Sequence, residues 1–275
     1  DNSTIVYEGF VCHNTIGYCL SPNTKVLTKD LNWVEVGTLK KGNELWAFDE
    51  FCNKASTSRQ RARKIRSAIV EKTGRAWLPC LKITFNDGTE IVCSKEHQWL
   101  KHIRPGDLHI EWCEAQNLKV NDELPKYFDT WESSNTRDLG WLAGLFDGEG
   151  HISGFKHSNL SIGVAQNPGP VLDKIYSILN DNKFNYAIDN RKIHRNCQNI
   201  RLTGSLNDKL RFLGQVYPIR LIPKLQLEGK TLQRSCTKTI VNIQDIGIQE
   251  VVTLQTDTRT YFAEGLGSHN CVLYG

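Results

Sequence analysis

Near one end of the chain, His269, Asn270 and Cys271 stand side by side in the run GLGSHNCVLYG. Upstream, Cys19 opens the stretch CLSPNTKVLT, and Ser94-x-x-His97 follows LKITFNDGTEIVC. These residue types could rearrange a peptide chain. A cysteine thiol can attack the carbonyl before it, turning the Tyr18–Cys19 amide into a thioester. Amide resonance opposes that step, so a donor must stabilise the tetrahedral intermediate and protonate the departing amine. His97, with a side-chain pKa near neutrality, could supply the proton, and Ser94 could hydrogen-bond the scissile unit. Cys271 could then take over the acyl group by thiol–thioester exchange, its thiolate acting as nucleophile. Asn270 could cyclise through its side-chain amide nitrogen onto its own carbonyl carbon, cutting the Asn270–Cys271 bond. His269 is placed to polarise that carbonyl or donate to the leaving amine. The released thioester would rearrange spontaneously to an ordinary amide.

Each of these residues alone has a plainer reading. A lone cysteine is most often a small buried apolar residue, and Cys52, Cys80, Cys93, Cys113, Cys197 and Cys236 are read that way. His97 alone would be a packed or turn histidine, and His269-Asn270 alone a turn. Only their joint order makes a chemical reading, and it requires Cys19, His97 and Asn270 to converge on one pair of peptide bonds.

The elements that must bring them together are written as a repeat. NWVEVGTLKKGNEL and EWCEAQNLKVNDEL align without a gap at an offset of 79 residues, pairing Trp33 with Trp112, Glu35 with Glu114, Leu39 with Leu118 and Leu45 with Leu124. Alternating apolar residues and Gly, Asn and Asp turns predict short strands, hence a pseudo-symmetric all-β module. Between the copies, Asn86-Asp87-Gly88 predicts a hairpin whose second arm delivers Ser94 and His97 to one sheet end. Residues 52–76, rich in Ser, Arg and Lys, are read as an inserted loop or short basic helix.

From about residue 134 the pattern changes to helix, two strands, helix, two strands, helix, an α+β domain set into the β module. Its first helix contains LAGLFDGEG, where Gly140, Ala143, Gly144 and Asp147 share one face. Each interior glycine costs about 1 kcal/mol relative to alanine, and a bare stripe offsets that by admitting a second helix closely. Asp147 and Glu149 fall at the negative end of the helix dipole, which calls for a cation. Two such ends together could hold Mg²⁺, the chemistry of phosphodiester cleavage.

LAGLFDGEG closely resembles the signature of LAGLIDADG homing endonucleases, with LRFLGQVYPIR resembling that family's late helix. The resemblance implies that Glu149 binds the catalytic metal with support from Asp147. It also implies that strands bearing Lys156, His157, Arg191, Lys192, His194, Arg195 and Arg201 face double-stranded DNA. With one copy of the motif, an active nuclease would be a homodimer on a pseudo-palindromic site. The flanking module resembles an intein: Gly88-x-x-Ile91-x-x-Ser94-x-x-His97 is similar to the B block, and YFAEGLGSHNC to the joined F and G blocks. Thr253 and Thr260 depart from it, standing where Asp and His are frequent.

These resemblances imply a mainly β Hint horseshoe interrupted by an αββαββα endonuclease domain. Residues 1–18 and 271–275 would be covalently attached host flanks (exteins), 19–133 and 229–270 the splicing domain, and 134–228 the insert. Splicing needs no cofactor, whereas the endonuclease would use Mg²⁺. The rival reading is a DNA endonuclease with a non-splicing or hedgehog-like autoprocessing β domain, and the terminal Asn270-Cys271 pair counts against it.

The totals bound these readings. Nine cysteines without CxxC spacing argue against a disulfide framework and a zinc ribbon, and fit reduced thiols in the cytoplasm. No apolar run is long enough to cross a membrane and no signal peptide is visible. The chain has no methionine, so we expect it to begin inside a longer reading frame. A net charge of +4 permits nucleic-acid binding without requiring it.

Overall fold

The computed structural model describes residues 4–7, 10–13, 17–52, 62–104, 109–133, 135–154, 160–189 and 197–271. The chain forms two compact units: Asp1–Lys29, Val34–Phe128 and Thr231–Gly275 make one, Asp30–Trp33 and Asp129–Lys230 the other. No helix is long and apolar enough to cross a membrane.

The first unit is built from strands. In chain order they are β1 Thr4–Tyr7, β2 Phe10–His13, β3 Lys25–Leu27, β4 Trp33–Glu35, β5 Glu44–Phe48, β6 Ile65–Phe85, β7 Glu90–Ser94, β8 Gln98–His102, β9 Ile110–Glu114 and β10 Glu123–Lys126. After the second unit come β15 Cys236–Thr256, β16 Thr260–Ala263 and β17 Leu266–His269. An eleven-stranded sheet runs β4-β3-β16-β17-β10-β15-β6-β5, with β7 on β6 and β8 joining β17 to β9. Its core buries Leu20, Val26, Leu45, Ile83, Phe85, Trp99, Leu124, Ile240, Tyr261 and Leu266. Burying such side chains contributes roughly 1.5–3 kcal/mol each.

The sequence repeat has a backbone counterpart. Val36–Thr38 and Ala115–Asn117 both form a 3₁₀ turn, each capped by a leucine N–H, Leu39 to Val36 O and Leu118 to Ala115 O, both at 3.2 Å. Lys40 N–H donates to Asn43 Oδ1 at 2.7 Å, as Lys119 N–H does to Asp122 Oδ2 at 2.9 Å. The correspondence reaches back to the preceding turn: Thr24 N–H donates to Ser21 O at 3.0 Å, and His97 N–H to Ser94 O at 3.1 Å. Thr24 O and His97 O then accept from Val36 N–H and Ala115 N–H, both at 2.8 Å. The Ser94–His97 turn therefore has a twin at Ser21–Thr24 that carries no histidine.

Asn86-Asp87-Gly88 is the hairpin between β6 and β7, with Gly88 at φ +80° and its N–H on Phe85 O at 2.9 Å. Residues 65–76 are strand, not the inserted loop or helix that their charge suggested. They form the first half of β6, which pairs with the equally long β15 from Thr256↔Val70 to Ile240↔Phe85. Ile65, Ala68 and Val70 are buried along it, and the partner strand satisfies its backbone whatever the exposed side chains are. Residues 53–61 lie outside the described part. Three cysteines also differ from expectation, since Cys52, Cys197 and Cys236 are exposed.

The second unit has the order α1 Arg137–Glu149, β11 His151–Ser153, β12 Ser161–Gln166, α2 Pro170–Asp181, β13 Tyr186–Asp189, β14 Gln198–Leu202, α3 Leu206–Val216. Its sheet runs β11-β12-β14-β13, antiparallel throughout. Thr136 caps α1 by accepting from Leu139 N–H, and Ser205 with Asp208 forms a capping box on α3. Leu139, Leu142 and Phe146 are the buried face of α1, with Phe146 against Phe212 at 5.0 Å between ring centroids.

Candidate active site

Leu20 forms isolated bridges to both Cys93 of β7 and Val252 of β15, which holds this segment against the sheet. Cys19 is thereby buried, in a small cluster with Cys80, Val251 and Cys271. Its Sγ lies 3.7 Å from Cys271 Sγ. Cys271 is delivered from the other end of the chain, its N–H donating to Leu254 O at 3.0 Å.

Ser94 sits on the peptide unit ahead of the sulfur. Its Oγ accepts from Cys19 N–H at 3.1 Å and donates a short hydrogen bond to Gly17 O, while Ser94 N–H donates to Cys19 O at 3.0 Å. His97 is fully buried, lies tilted against Trp99 at 4.5 Å between ring centroids and places Nε2 3.0 Å from Ser268 Oγ. Burial holds its pKa at about 3; the Tyr18 backbone pulls the other way and His269 pushes it down further. The near-neutral value expected from residue type is thus corrected: the resting ring is neutral, and once protonated it is a strong acid.

The two thiols titrate as a pair. Their mutual hydrogen bond lowers Cys271, burial opposes this and the Tyr18 backbone adds to it. Cys19 is raised by the same bond, then by burial and by the neighbouring negative charge.

Asn270 is held on three sides. Its Nδ2 donates to Thr256 O at 2.6 Å, its Oδ1 accepts from Thr256 Oγ1 at 2.9 Å, and its N–H donates to Arg259 O at 2.9 Å. His269 Nδ1 lies 3.1 Å from Asn270 O. Thr260, at the position where histidine is frequent in the resemblance, is occupied elsewhere: it accepts from Phe48 N–H at 3.1 Å and donates to Phe48 O. Sequence reasoning looked at Thr253 and Thr260 and passed over Thr256. The alternation of TLQTDTRTYF could have pointed to it, since a strand-end threonine facing inward has a hydroxyl to place. Ser268, also missed, had no signal beyond its position next to His269.

In the second unit, Asp147 Oδ2 and Oδ1 accept from Ile219 N–H at 3.0 Å and Arg220 N–H at 2.8 Å. The Arg220 guanidinium donates to Phe146 O at 3.1 Å, Gly150 O at 2.8 Å and Asp147 O. The cation that the negative helix end calls for is therefore Arg220 of the same chain. Glu149 is exposed, and among the described residues no group of three His, Cys, Asp or Glu could hold a metal. Asp147 is held by backbone donors of its own chain, so of the two carboxylates Glu149 is the exposed one. Gly140, Gly144 and Gly148 face open space within this chain. Of the expected DNA-facing residues, Arg201 is exposed on β14. Lys156, His157, Arg191, Lys192, His194 and Arg195 lie outside the described residues.

Residues 137–217 match the family model of a LAGLIDADG-like domain. Among solved structures, the chain is similar to a DnaB intein from Synechocystis sp. PCC 6803, at 11% identity and a TM-score of 0.43, over 92% of this chain and 99% of that one. A DnaX mini intein from Spirulina platensis is similar at 11% identity and a TM-score of 0.41, over 92% and 99%. The gp41-1 intein is similar at 12% identity and a TM-score of 0.38, over 92% and 98%. No curated protein matches the chain. Residues 137–217 thus carry a LAGLIDADG-like domain by their match to that model, within a mostly β chain.

Proposed function

We propose that the β unit is an intein that excises residues 19–270 and joins its flanks. The observation that carries this reading is the contact of the two sulfurs, Cys19 Sγ and Cys271 Sγ, at 3.7 Å. Acyl transfer between thiols needs that proximity and little else.

The steps follow from the atoms present. Cys19 Sγ bonds to the Tyr18 carbonyl carbon, the Tyr18–Cys19 C–N bond breaks, and the thiol proton ends on the Cys19 amine. In net terms that proton moves from sulfur to nitrogen; His97, a weak base in the resting fold, serves as the donor to the amine. Ser94, on the Cys19 N–H, holds the leaving nitrogen as it turns pyramidal. Cys271 then attacks the thioester and Cys19 leaves as the thiol. Asn270 Nδ2 attacks its own carbonyl carbon, oriented by Thr256, and the Asn270–Cys271 bond breaks with a proton passing from Nδ2 to the Cys271 amine. That amine displaces the thioester sulfur and leaves an ordinary peptide bond.

The test is expression with longer flanks followed by mass identification of the products. A joined flank product and a free 19–270 protein are expected. Asn270→Ala together with Cys271→Ala should stop the reaction at the Cys19 thioester, seen as thiol-induced cleavage before Cys19. Intact chain alone from the unmutated protein, under several folding conditions, would overturn the reading.

For the LAGLIDADG-like domain we propose binding of double-stranded DNA through the sheet face that carries Asn199 and Arg201, both exposed. Phosphate contacts would set affinity and strand side chains the register. Cleavage would require a second copy, because the chain carries one copy of the motif and the metal would lie between two acidic helix ends. Titration against the uninterrupted host gene tests this. Arg201→Ala should weaken binding and reduce the salt slope by about 1.

A further inference from the structure

The proposed role of His269 needs its ring held in one orientation, and the residue holding it lies 219 positions away. β5 ends at Phe48, where the Thr260 hydroxyl bridges the Phe48 N–H and C=O. Two residues on, Glu50 O accepts from Trp112 Nε1 at 3.0 Å and from Arg63 Nη2 at 3.3 Å, so its backbone is fixed. The Glu50 side chain, 19% exposed, then reaches Oε1 to within 3.0 Å of His269 Nε2. Trp112 and Tyr18 wall the imidazole edge-on, at 5.0 and 5.6 Å between centroids.

Both ring nitrogens of His269 consequently face oxygens. Nδ1 looks at the Asn270 carbonyl at 3.1 Å and Nε2 at the Glu50 carboxylate at 3.0 Å. A carbonyl and a carboxylate only accept. A neutral ring, with one N–H, leaves one of those contacts as two facing lone pairs, whereas an imidazolium satisfies both. The pairing is buried on the histidine side, 8% exposed, where a charge needs its partner. Arg259 lies 3.8 Å from the other Glu50 oxygen but is 69% exposed and adds little.

We propose that Glu50 is a positioning residue for Asn270 cyclisation, which rests on the splicing reading above. By accepting from Nε2–H it keeps Nδ1–H directed at the Asn270 carbonyl oxygen. When Asn270 Nδ2 bonds to that carbon, the oxygen becomes anionic and is met by a donor already aimed at it. As the Asn270–Cys271 C–N bond breaks, the carbonyl re-forms and one Nδ2 proton ends on the Cys271 amine. Glu50 itself touches no reacting atom.

The test uses the full chain with Cys19→Ala and an extended C-terminal flank, so that only Asn270–Cys271 cleavage is read. Glu50→Gln keeps shape and removes charge. It should slow flank release about tenfold, the effect of losing one charge-assisted hydrogen bond. Glu50→Asp should recover much of the loss. In ¹⁵N spectra, the His269 ring nitrogens should shift between the parent and Glu50→Gln, a signature that a merely structural role would not move. A reactive parent with Glu50→Gln equally fast would overturn the proposal and leave splicing standing. An unmutated protein that never joins its flanks would overturn the splicing reading. The spectra then judge the Glu50–His269 pairing alone, and identical His269 shifts in both proteins would overturn it too.

Discussion

Cys19 Sγ and Cys271 Sγ are 3.7 Å apart although 252 residues separate them. Nothing local in either segment produces this contact. It follows from the sheet, in which Leu20 bridges to Val252 while Cys271 N–H is held by Leu254 O. If the contact serves acyl transfer, Cys271→Ala should allow the Cys19 thioester to form and stop exchange. Mass spectrometry after thiol treatment should then find cleavage before Cys19 and no joined flanks.

Burial of His97 makes stability depend on pH. Its folded pKa of about 3 lies below the ordinary 6.5, so between those values the unfolded chain binds the extra proton. Stability from this group is whole above about pH 6.5 and is lost as pH falls towards 3. Denaturant titrations across that window should show the slope, and His97→Gln should flatten it. An unchanged slope in the variant would assign the pH dependence to other groups.

Thr256 holds the Asn270 amide through both its hydroxyl and its carbonyl. Thr256→Val keeps the carbonyl and the shape but removes the hydroxyl donor. Release of the C-terminal flank should slow about tenfold, with thioester formation at Cys19 unaffected. Equal rates for both cleavages in variant and parent would remove Thr256 from the proposed mechanism.

Arg220 and Asp147 lock the end of α1 to the segment after α3. Arg220→Ala removes the donors to Phe146 O, Gly150 O and Asp147 O and should cost about 1–2 kcal/mol of stability in the second unit. Asp147→Ala removes instead the acceptor of the Ile219 and Arg220 N–H groups and should also lower stability, read by chemical denaturation. Two variants as stable as the parent would refute the lock.

Gly265 is the glycine whose replacement should be most damaging. It has φ +79°, and a Cβ there would lie 1.9 Å from Phe128 O. Gly265→Ala should destabilise by several kcal/mol, roughly 3 or more, read as a fall in thermal midpoint. A small shift would mean that the turn ahead of β17 relaxes more freely than its packing implies.

Much of this molecule is legible in the chain itself. The offset of 79 residues reappears as paired 3₁₀ turns at Val36 and Ala115, because apolar spacing and turn residues act over a few positions. The same locality exposes the hairpin at Gly88 and the αββαββα order of the second unit. His97, Asn270 and Cys271 could be selected because their chemistry belongs to residue type and order. The tertiary structure alone decided what depends on distant partners. Residues 65–76 are strand because β5 pairs with 65–69 and β15 with the rest, and His97 is a weak base because the core surrounds it. Asp147 is tied up because Arg220 arrives from 73 residues away. Glu50 meets His269 for the same reason, across 219 residues. Short-range preferences are written in neighbouring residues, whereas burial, charge pairing and strand partnership are properties of the assembled sheet.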